Sequence, residues 1–461
     1  MNGIDTNTLV RYLVRDDPER AAVPARLIDG GGEGGIGAWM VSFEPSPGRS
    51  MRALRCWRYL VVGVGGLIVA SCDAGVGAGH ISPESEAPYA AEELADPVPG
   101  VGAVSEVWRS SAEPDLRLGA VDGTGPETFG SISSAAFLDD GGFVVADGMN
   151  LQVRAFDASG AHRWTAGRAG TGPGEFRSLG PVFVRGDSVL AFGHDGRVNV
   201  FSASASGELI GTFAVSPSTR DPGWPWVVGV TPEGGLIGRF QMHTQPPVGH
   251  HRGAMIVSVH GPGGALLQVL PDTFPAGDYW RLETGMERVA HRSIRRGTHL
   301  ATGRIGFFVA VQDQPVIRRF TFDGTMESVL RLEASPRPVD REVRRQWVEG
   351  PLSAIQDPVL RERVREEREH DPLPPALPAF GRVLVDSEDR LWVEEFSLPG
   401  ADRSEWWVYS AEGTLLARAL LPLQHELEIH EISEHRILGT SAGPMGVPEV
   451  KVWPIIREGP S

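Results

Sequence analysis

Lysine is almost missing from this chain: among its 43 basic residues Lys451 is the single lysine, and the rest are arginine. Schiff-base chemistry and a Walker-type phosphate loop both need a lysine and are thereby disfavoured. Cysteine is nearly as scarce, with only Cys56 and Cys72, which excludes a disulfide framework and a cysteine-based zinc site. Positive charge is outnumbered, giving a formal net charge of −16. A nucleic-acid partner is excluded on that ground, because phosphate backbones demand a basic face. What the chain has in quantity is glycine (58) and proline (36), with 41% hydrophobic residues over 461 positions. That composition suits a substantial core built from many short strands joined by tight turns.

Internal repetition carries the fold assignment. A short apolar strand preceded by a turn recurs at 142–147 (GFVVAD), 187–192 (DSVLAF), 234–239 (GGLIGR), 306–311 (GFFVAV), 390–395 (RLWVEE) and 435–440 (HRILGT). A small residue occupies the same place in five of them: Ala146, Ala191, Gly238, Ala310 and Gly439, with Glu394 the exception. Successive spacings are 45, 47, 72, 84 and 45 residues; the short ones match a propeller blade and the long ones hold insertions. A strand–hairpin–strand unit follows each of the first five, carrying Gly160, Gly207, Gly264, Gly324 and Gly413, where a tight hairpin needs positive φ. The sixth repeat lacks the unit. A lone strand at 115–119 stands ahead of the first repeat, and the loop after it, 123–129 (GTGPETF), echoes 170–176 (GTGPGEF). The N-terminal strand is therefore expected to complete the last blade and close the ring.

The run at 144–157 (VVADGMNLQVRAFD) resembles the NHL repeat: a strand, Asp, Asn, then a strand ending in Phe-Asp. The resemblance implies an all-β, six-bladed β-propeller over residues 105–457. One insertion, about 338–378, reads as helical, with apolar Val343, Trp347, Leu352, Ile355, Val359, Leu360 and Val364 at amphipathic spacing and prolines at its end. It is expected to pack over the face or side of the ring.

The N-terminus holds two further resemblances. Arg52, Arg55 and Arg58 precede a short apolar stretch, 59–69, and then 69–72 (VASC). This order resembles a bacterial lipoprotein signal peptide with its lipobox, spanning 51–72, which implies export and lipidation of Cys72; the apolar stretch is short of the ~20 residues a membrane span needs. Residues 73–104 read as a flexible tether. Residues 3–20 (GIDTNTLVRYLVRDDPER) resemble the opening of PIN-domain toxin ribonucleases over about 1–29. That resemblance implies that Asp5 matches one of several carboxylates that hold Mg²⁺ or Mn²⁺ in the family. A single carboxylate cannot assemble such a site, so 1–50 reads as a truncated fragment or a mis-assigned start, with Met51 the expected first residue.

Loops after the repeated strand should share one face, where rigid strands present variable side chains. The candidates there are Asp147, Asn150, His194, Asp195, Arg239, His243, Asp313 and Glu395, accompanied by Gln241, Gln312, Glu394, Thr440 and Ser441. No triad, phosphate loop or metal-ligand spacing emerges, so no catalytic residue is assigned and no cofactor is expected; a divalent cation at His194, His243, Asp313 and Glu395 is the weaker alternative. The expected function is a membrane-anchored, extracytoplasmic binding module for a peptide, glycan or protein partner. The rivals are a metal-dependent propeller lyase or hydrolase and, more remotely, a PIN ribonuclease fragment. Trp392 and Trp407, both in strands, are expected in the core.

Overall fold

The computed structural model describes residues 106–458 apart from short stretches, the longest being 243–248 and 282–288. The fragment, signal and tether read at 1–50, 51–72 and 73–104, with Asp5 and Cys72, lie outside the described residues. Two strands come first, β1 (Val107–Ser110) and β2 (Leu116–Leu118). A first meander follows of β3 (Ile132–Phe137), β4 (Phe143–Asp147), β5 (Gln152–Phe156) and β6 (His162–Ala166), then a second of β7 (Val182–Arg185), β8 (Ser188–Phe192), β9 (Arg197–Ser202) and β10 (Leu209–Ala214). The third holds β11 (Trp226–Val230), β12 (Leu236–Met242), β13 (Gly249–His260), β14 (Leu266–Arg281) and β15 (Val289–His291). The fourth is β16 (Thr298–Thr302), β17 (Phe307–Val311), β18 (Val316–Phe320) and β19 (Met326–Arg331). After the helical insertion come β20 (Val383–Val385), β21 (Leu391–Glu394), β22 (Arg403–Tyr409), β23 (Leu415–Pro422), β24 (Glu428–Ile432), β25 (Arg436–Ala442) and β26 (Pro448–Glu458).

The architecture is all-β and propeller-like. The first four meanders are separate antiparallel sheets, and the remaining strands join into one nine-stranded sheet. The joint is β1, which pairs in parallel with β23 and antiparallel with the end of β26. Each repeated segment read from the sequence is the second strand of its meander: β4, β8, β12, β17, β21 and β25. The first strands lie side by side around an axis: β3 beside β7, then β11, β16, β20 and β24, which returns to β3. The expected closure is present, with Leu116 opposite Val452, Arg117 opposite Lys451 and Leu118 opposite Val450.

Packing follows from strand alternation, which gives each sheet two apolar faces. Val144, Ala146, Val153 and Ala155 of the first meander meet Val182, Val189 and Phe201 of the second. Phe137, Phe143 and Phe156 meet Leu438, Val450 and Val452 across the closing seam. The small residues of the repeat sit at these crowded interfaces: Ala146, Ala191 and Ala310 are fully buried. A Cβ added to Gly439 would come within 2.9 Å of the Glu428 carbonyl. The five hairpin glycines all take positive φ, between +57° and +90°, which a side-chain-bearing residue adopts only under strain.

The insertion forms α1 (Arg341–Glu349), a 3₁₀ turn (Gly350–Ala354) and α2 (Pro358–Glu369). Asp340 and Asp357 cap the two helices by accepting from Val343 N (2.9 Å) and Val359 N (2.8 Å). Val343, Trp347 and Val348 bury against Ile294 and Leu377, with Phe396 and Leu398 at the edge. Arg368 lies 4.1 Å over the Trp347 ring, tying α2 to α1. Of the aromatics expected in the core, Trp392 is buried, but the fully buried residue of the next pair is Trp406, and Trp407 is partly buried. The register of β22 puts Trp406 and Val408 on the face toward Trp108 and Trp392. No described helix is long and apolar enough to cross a membrane.

Candidate functional site

A cavity of about 770 Å³ opens where the first and second strands of the third to the last meander converge. The volume falls within the range of small-ligand sites. Arg239 and Gln241 line it from β12; Thr298 and His299 from β16; Gln312 from the end of β17; Arg382 and Leu384 from β20 and its lead-in; Glu394 from β21 and Glu395 just after it; Glu428 from β24. Met255, Phe396 and Ile429 supply apolar surface.

Two polar assemblies hold the walls in place. The Gln312 carboxamide donates to the carbonyls of Phe380 and Gly381 (both 2.9 Å) and accepts from Gly297 N (2.9 Å), so it stitches the fourth meander to the approach of the fifth. Arg382 and Glu394 form a two-point ion pair (Nε–Oε2 2.9 Å, Nη2–Oε1 3.1 Å), and Ser404 donates to the same carboxylate at 2.6 Å. Burial alone raises an acid, but the hydrogen bonds and charge of Arg382 hold Glu394 below its ordinary value. The pair is thus charged and self-neutralising. His299 is pushed down to about 4, first by burial and then by the positive charges of Arg239 and Arg382, against opposing help from Gln312 and Glu394. His430 on β24, which hydrogen-bonds Thr440 Oγ1 (2.8 Å), is also pushed down to about 4, by burial and then by Arg382. Both imidazoles are neutral near pH 7.

Arg239, Glu395 and Glu428 differ from these. All three are exposed and line the cavity. Among the described residues none has a hydrogen-bonding or ion-pairing partner for its side chain. Desolvation by the surrounding walls lowers the Arg239 guanidinium from its ordinary value, with no acid to offset it.

The sequence candidates distribute unevenly. Arg239 and Glu395 meet in this cavity, together with Gln241, Gln312 and Glu394. Asp147 and Asn150 serve the scaffold: Asp147 is fully buried, accepts from Gly130 N (3.0 Å), Ser131 N (3.2 Å) and Asn150 Nδ2 (2.7 Å), and pairs with Arg154 at 3.3 Å. Arg154 in turn donates to the carbonyls of Pro126 and Thr128, fixing the loop at 123–129. The echoing loop at 170–176 is held in the same manner by Asn199, which accepts from Gly174 N (3.0 Å) and donates to Glu175 O (3.1 Å). Asp195 accepts from Arg197 N in the turn completed by Gly196 (φ +75°). His194 is exposed and stacks against Trp226, with ring centroids 4.9 Å apart. Asp313 is engaged by Arg252 and by Arg296 (3.2 Å). His243 lies outside the described residues. Among the described residues no group of three or more His, Cys, Asp or Glu side chains is arranged to hold a metal ion.

Comparison with known proteins finds distant structural likeness and nothing finer. No protein-family profile and no curated protein sequence matches it. Solved structures that align with it include a protein of Bacteroides fragilis described as exported, at 11% identity and TM-score 0.40, covering 77% of this chain and 97% of that one. Virginiamycin B lyase from Staphylococcus aureus aligns at 9% identity and TM-score 0.36, covering 73% and 98%. A regucalcin from Agrobacterium tumefaciens aligns at 11% identity and TM-score 0.35, covering 77% and 98%. Likeness of this degree carries nothing about ligand, activity or location.

His299, Arg382 and Glu428 escaped the sequence reading because they belong to first strands or their approaches, which show no repeat signature. One signal for Glu428 was present: at 428–432 (EIHEI) charged and polar residues are interleaved with two isoleucines in a short strand-like run. A second was the exception in the repeat. Glu394 stands where five other repeats place Ala or Gly, and such a local violation marks functional positions.

Proposed function

We propose that residues 105–457 form a six-bladed, NHL-like propeller that works as a ligand-binding module outside the cytoplasm, tethered to a membrane by a lipid on Cys72. The blade count is supported by the cycle of six first strands around the axis. On this reading the nine-stranded sheet is two blades, β20–β23 and β24–β26 with β2, whose outer strands are bridged by β1. Export and anchoring rest on the ordered arginines, apolar stretch and lipobox of 51–72.

The observation that carries the binding function is the axial cavity, about 770 Å³, that presents Arg239, Glu395 and Glu428 with no protein partner among the described residues. Charged side chains that no protein group occupies, converging on a concave site, are the polar groups a ligand can use to fix its orientation there. The test is calorimetric titration of the full chain in detergent with trialanine and with chitotriose, repeated on Ser397→Trp. Ser397 is exposed at the cavity wall, so the indole fills the space without disturbing the core. A probe that binds the natural chain at least tenfold tighter than the variant supports the reading; probes that bind both equally place recognition elsewhere and overturn it. Mass spectrometry of the native N-terminus checks the anchor: an acylated Cys72 is expected, and an unmodified N-terminus at Met1 or Met51 defeats it.

A further inference from the structure

The disposition of the unpartnered charges specifies more than a binding site. Six first strands succeed one another around the axis, so β11 of the third meander and β24 of the last are three places apart, on opposite sides. Arg239 lies on β12, paired with β11. Glu428 lies on β24, and Glu395 follows β21 of the fifth meander, next to the last. The cavity thus has a cationic side at Arg239 and an acidic side formed by Glu428, opposite it across the axis, and Glu395, one place nearer. Between them the wall is uncharged: Thr298, Gln312 and the neutral imidazole of His299. Arg382 adds no free charge, because Glu394 neutralises it. Met255, Leu384 and Ile429 offer apolar contact.

Resting on the reading of this cavity as the binding site, we infer that its ligand is a short peptide with both ends free, its terminal carboxylate at Arg239 and its terminal ammonium at Glu395 and Glu428. A guanidinium suits a carboxylate through two parallel N–H donors, and free termini are a recurring handle for peptide recognition. A single α-amino acid carries its two charges on neighbouring atoms and cannot meet walls on opposite sides of an axis; a chain of a few residues can. A neutral oligosaccharide satisfies neither wall, and a polyanion is repelled by the acidic one. Near pH 7 the neutral His299 leaves Arg239 as the single uncompensated cation lining the cavity among the described residues, which fixes the peptide's direction.

The test uses the full chain in detergent and four probes: trialanine, N-acetyl-trialanine, trialanine amide and N-acetyl-trialanine amide, with chitotriose as the comparison. Trialanine is expected to bind at least tenfold tighter than either singly capped form, and the doubly capped form is expected to bind weakest. Arg239→Gln should abolish the preference for the acid over the amide while keeping the preference for the free amine. The double change Glu395→Gln with Glu428→Gln should do the reverse. All three side chains are exposed and have no partner among the described residues, so unchanged melting temperatures should accompany these losses. Equal binding of capped and free peptides overturns the inference. Chitotriose binding that is lost in Ser397→Trp, with no peptide binding, also overturns it while leaving the cavity as the binding site. Absence of cavity-dependent binding by any probe overturns both.

Discussion

At the scale of single residues, the least comfortable group in the described ring is Glu431. Its carboxylate accepts from Phe137 N at 2.7 Å, across the seam where β24 meets β3. Burial pushes this acid up to about 7, further aided by the nearby Asp139 and opposed by the Phe137 N–H. An acid whose folded pKa is raised stabilises the fold fully below its unfolded value, ordinarily 4.5, and loses that contribution as pH rises through about 7. His299 and His430, lowered to about 4, act oppositely and lose stability as pH falls; they cancel when two variants with both histidines are compared. Glu431→Gln keeps an acceptor for Phe137 and removes the ionisation. Its stability relative to the natural chain should grow between about pH 4.5 and pH 7, by no more than about 3 kcal/mol. Urea unfolding at several pH values measures this, and a difference that does not vary with pH refutes the assignment.

At the scale of elements, β1 is the piece whose role only the folded chain reveals. Trp108 is 3% exposed, lies 5.6 Å from Trp392, and has Arg390 and Arg457 over its ring at 5.0 and 4.7 Å. Trp108→Ala should cost about 3–5 kcal/mol, the usual cost of emptying a buried aromatic site. A loss under about 1 kcal/mol in unfolding free energy would mean that β1 is an ornament on the sheet rather than a strut between β23 and β26. The sequence displayed the second strands, the hairpin glycines and the closing strand because each has a local cause: an apolar run between turns, a positive φ, an echoed loop. It did not display β1, whose parallel pairing with Arg418–Leu420 joins positions about three hundred residues apart and leaves no local pattern. The same reasoning covers the site. Arg239 and Glu395 were legible as polar ends of repeated strands. Arg382 and Glu428 were not, since their meaning arises from the strand next door. The insertion was legible as helical, but its service to the cavity was not: α1 packs against the segment carrying Phe396, which lines the cavity wall.

At the scale of the whole molecule, the question is what keeps the circle of sheets from opening. Neighbouring sheets adhere through apolar faces, yet the circle has one place where the last strand set must be completed by residues from the far end of the fold. There β26 receives β2, and Leu116 and Leu118 pack with Phe129, Val450 and Val452. The double change Leu116→Asp with Leu118→Asp places two charges against that apolar cluster. It should lower the unfolding free energy by about 3 kcal/mol or more and leave the edge of β26 unpaired. An unpaired edge is a template for another chain, so the variant should also self-associate with rising concentration in sedimentation velocity. Arg117→Ala is the matched control, because Arg117 sits in the same strand with an exposed side chain that pairs with exposed Glu113 (3.3 Å) and reaches Glu449 only at 4.0 Å, contacts worth about 1 kcal/mol or less. If the leucine variant unfolds at the same urea midpoint as the control and stays monomeric, the ring is held by its side-by-side faces alone and the borrowed strand closes nothing.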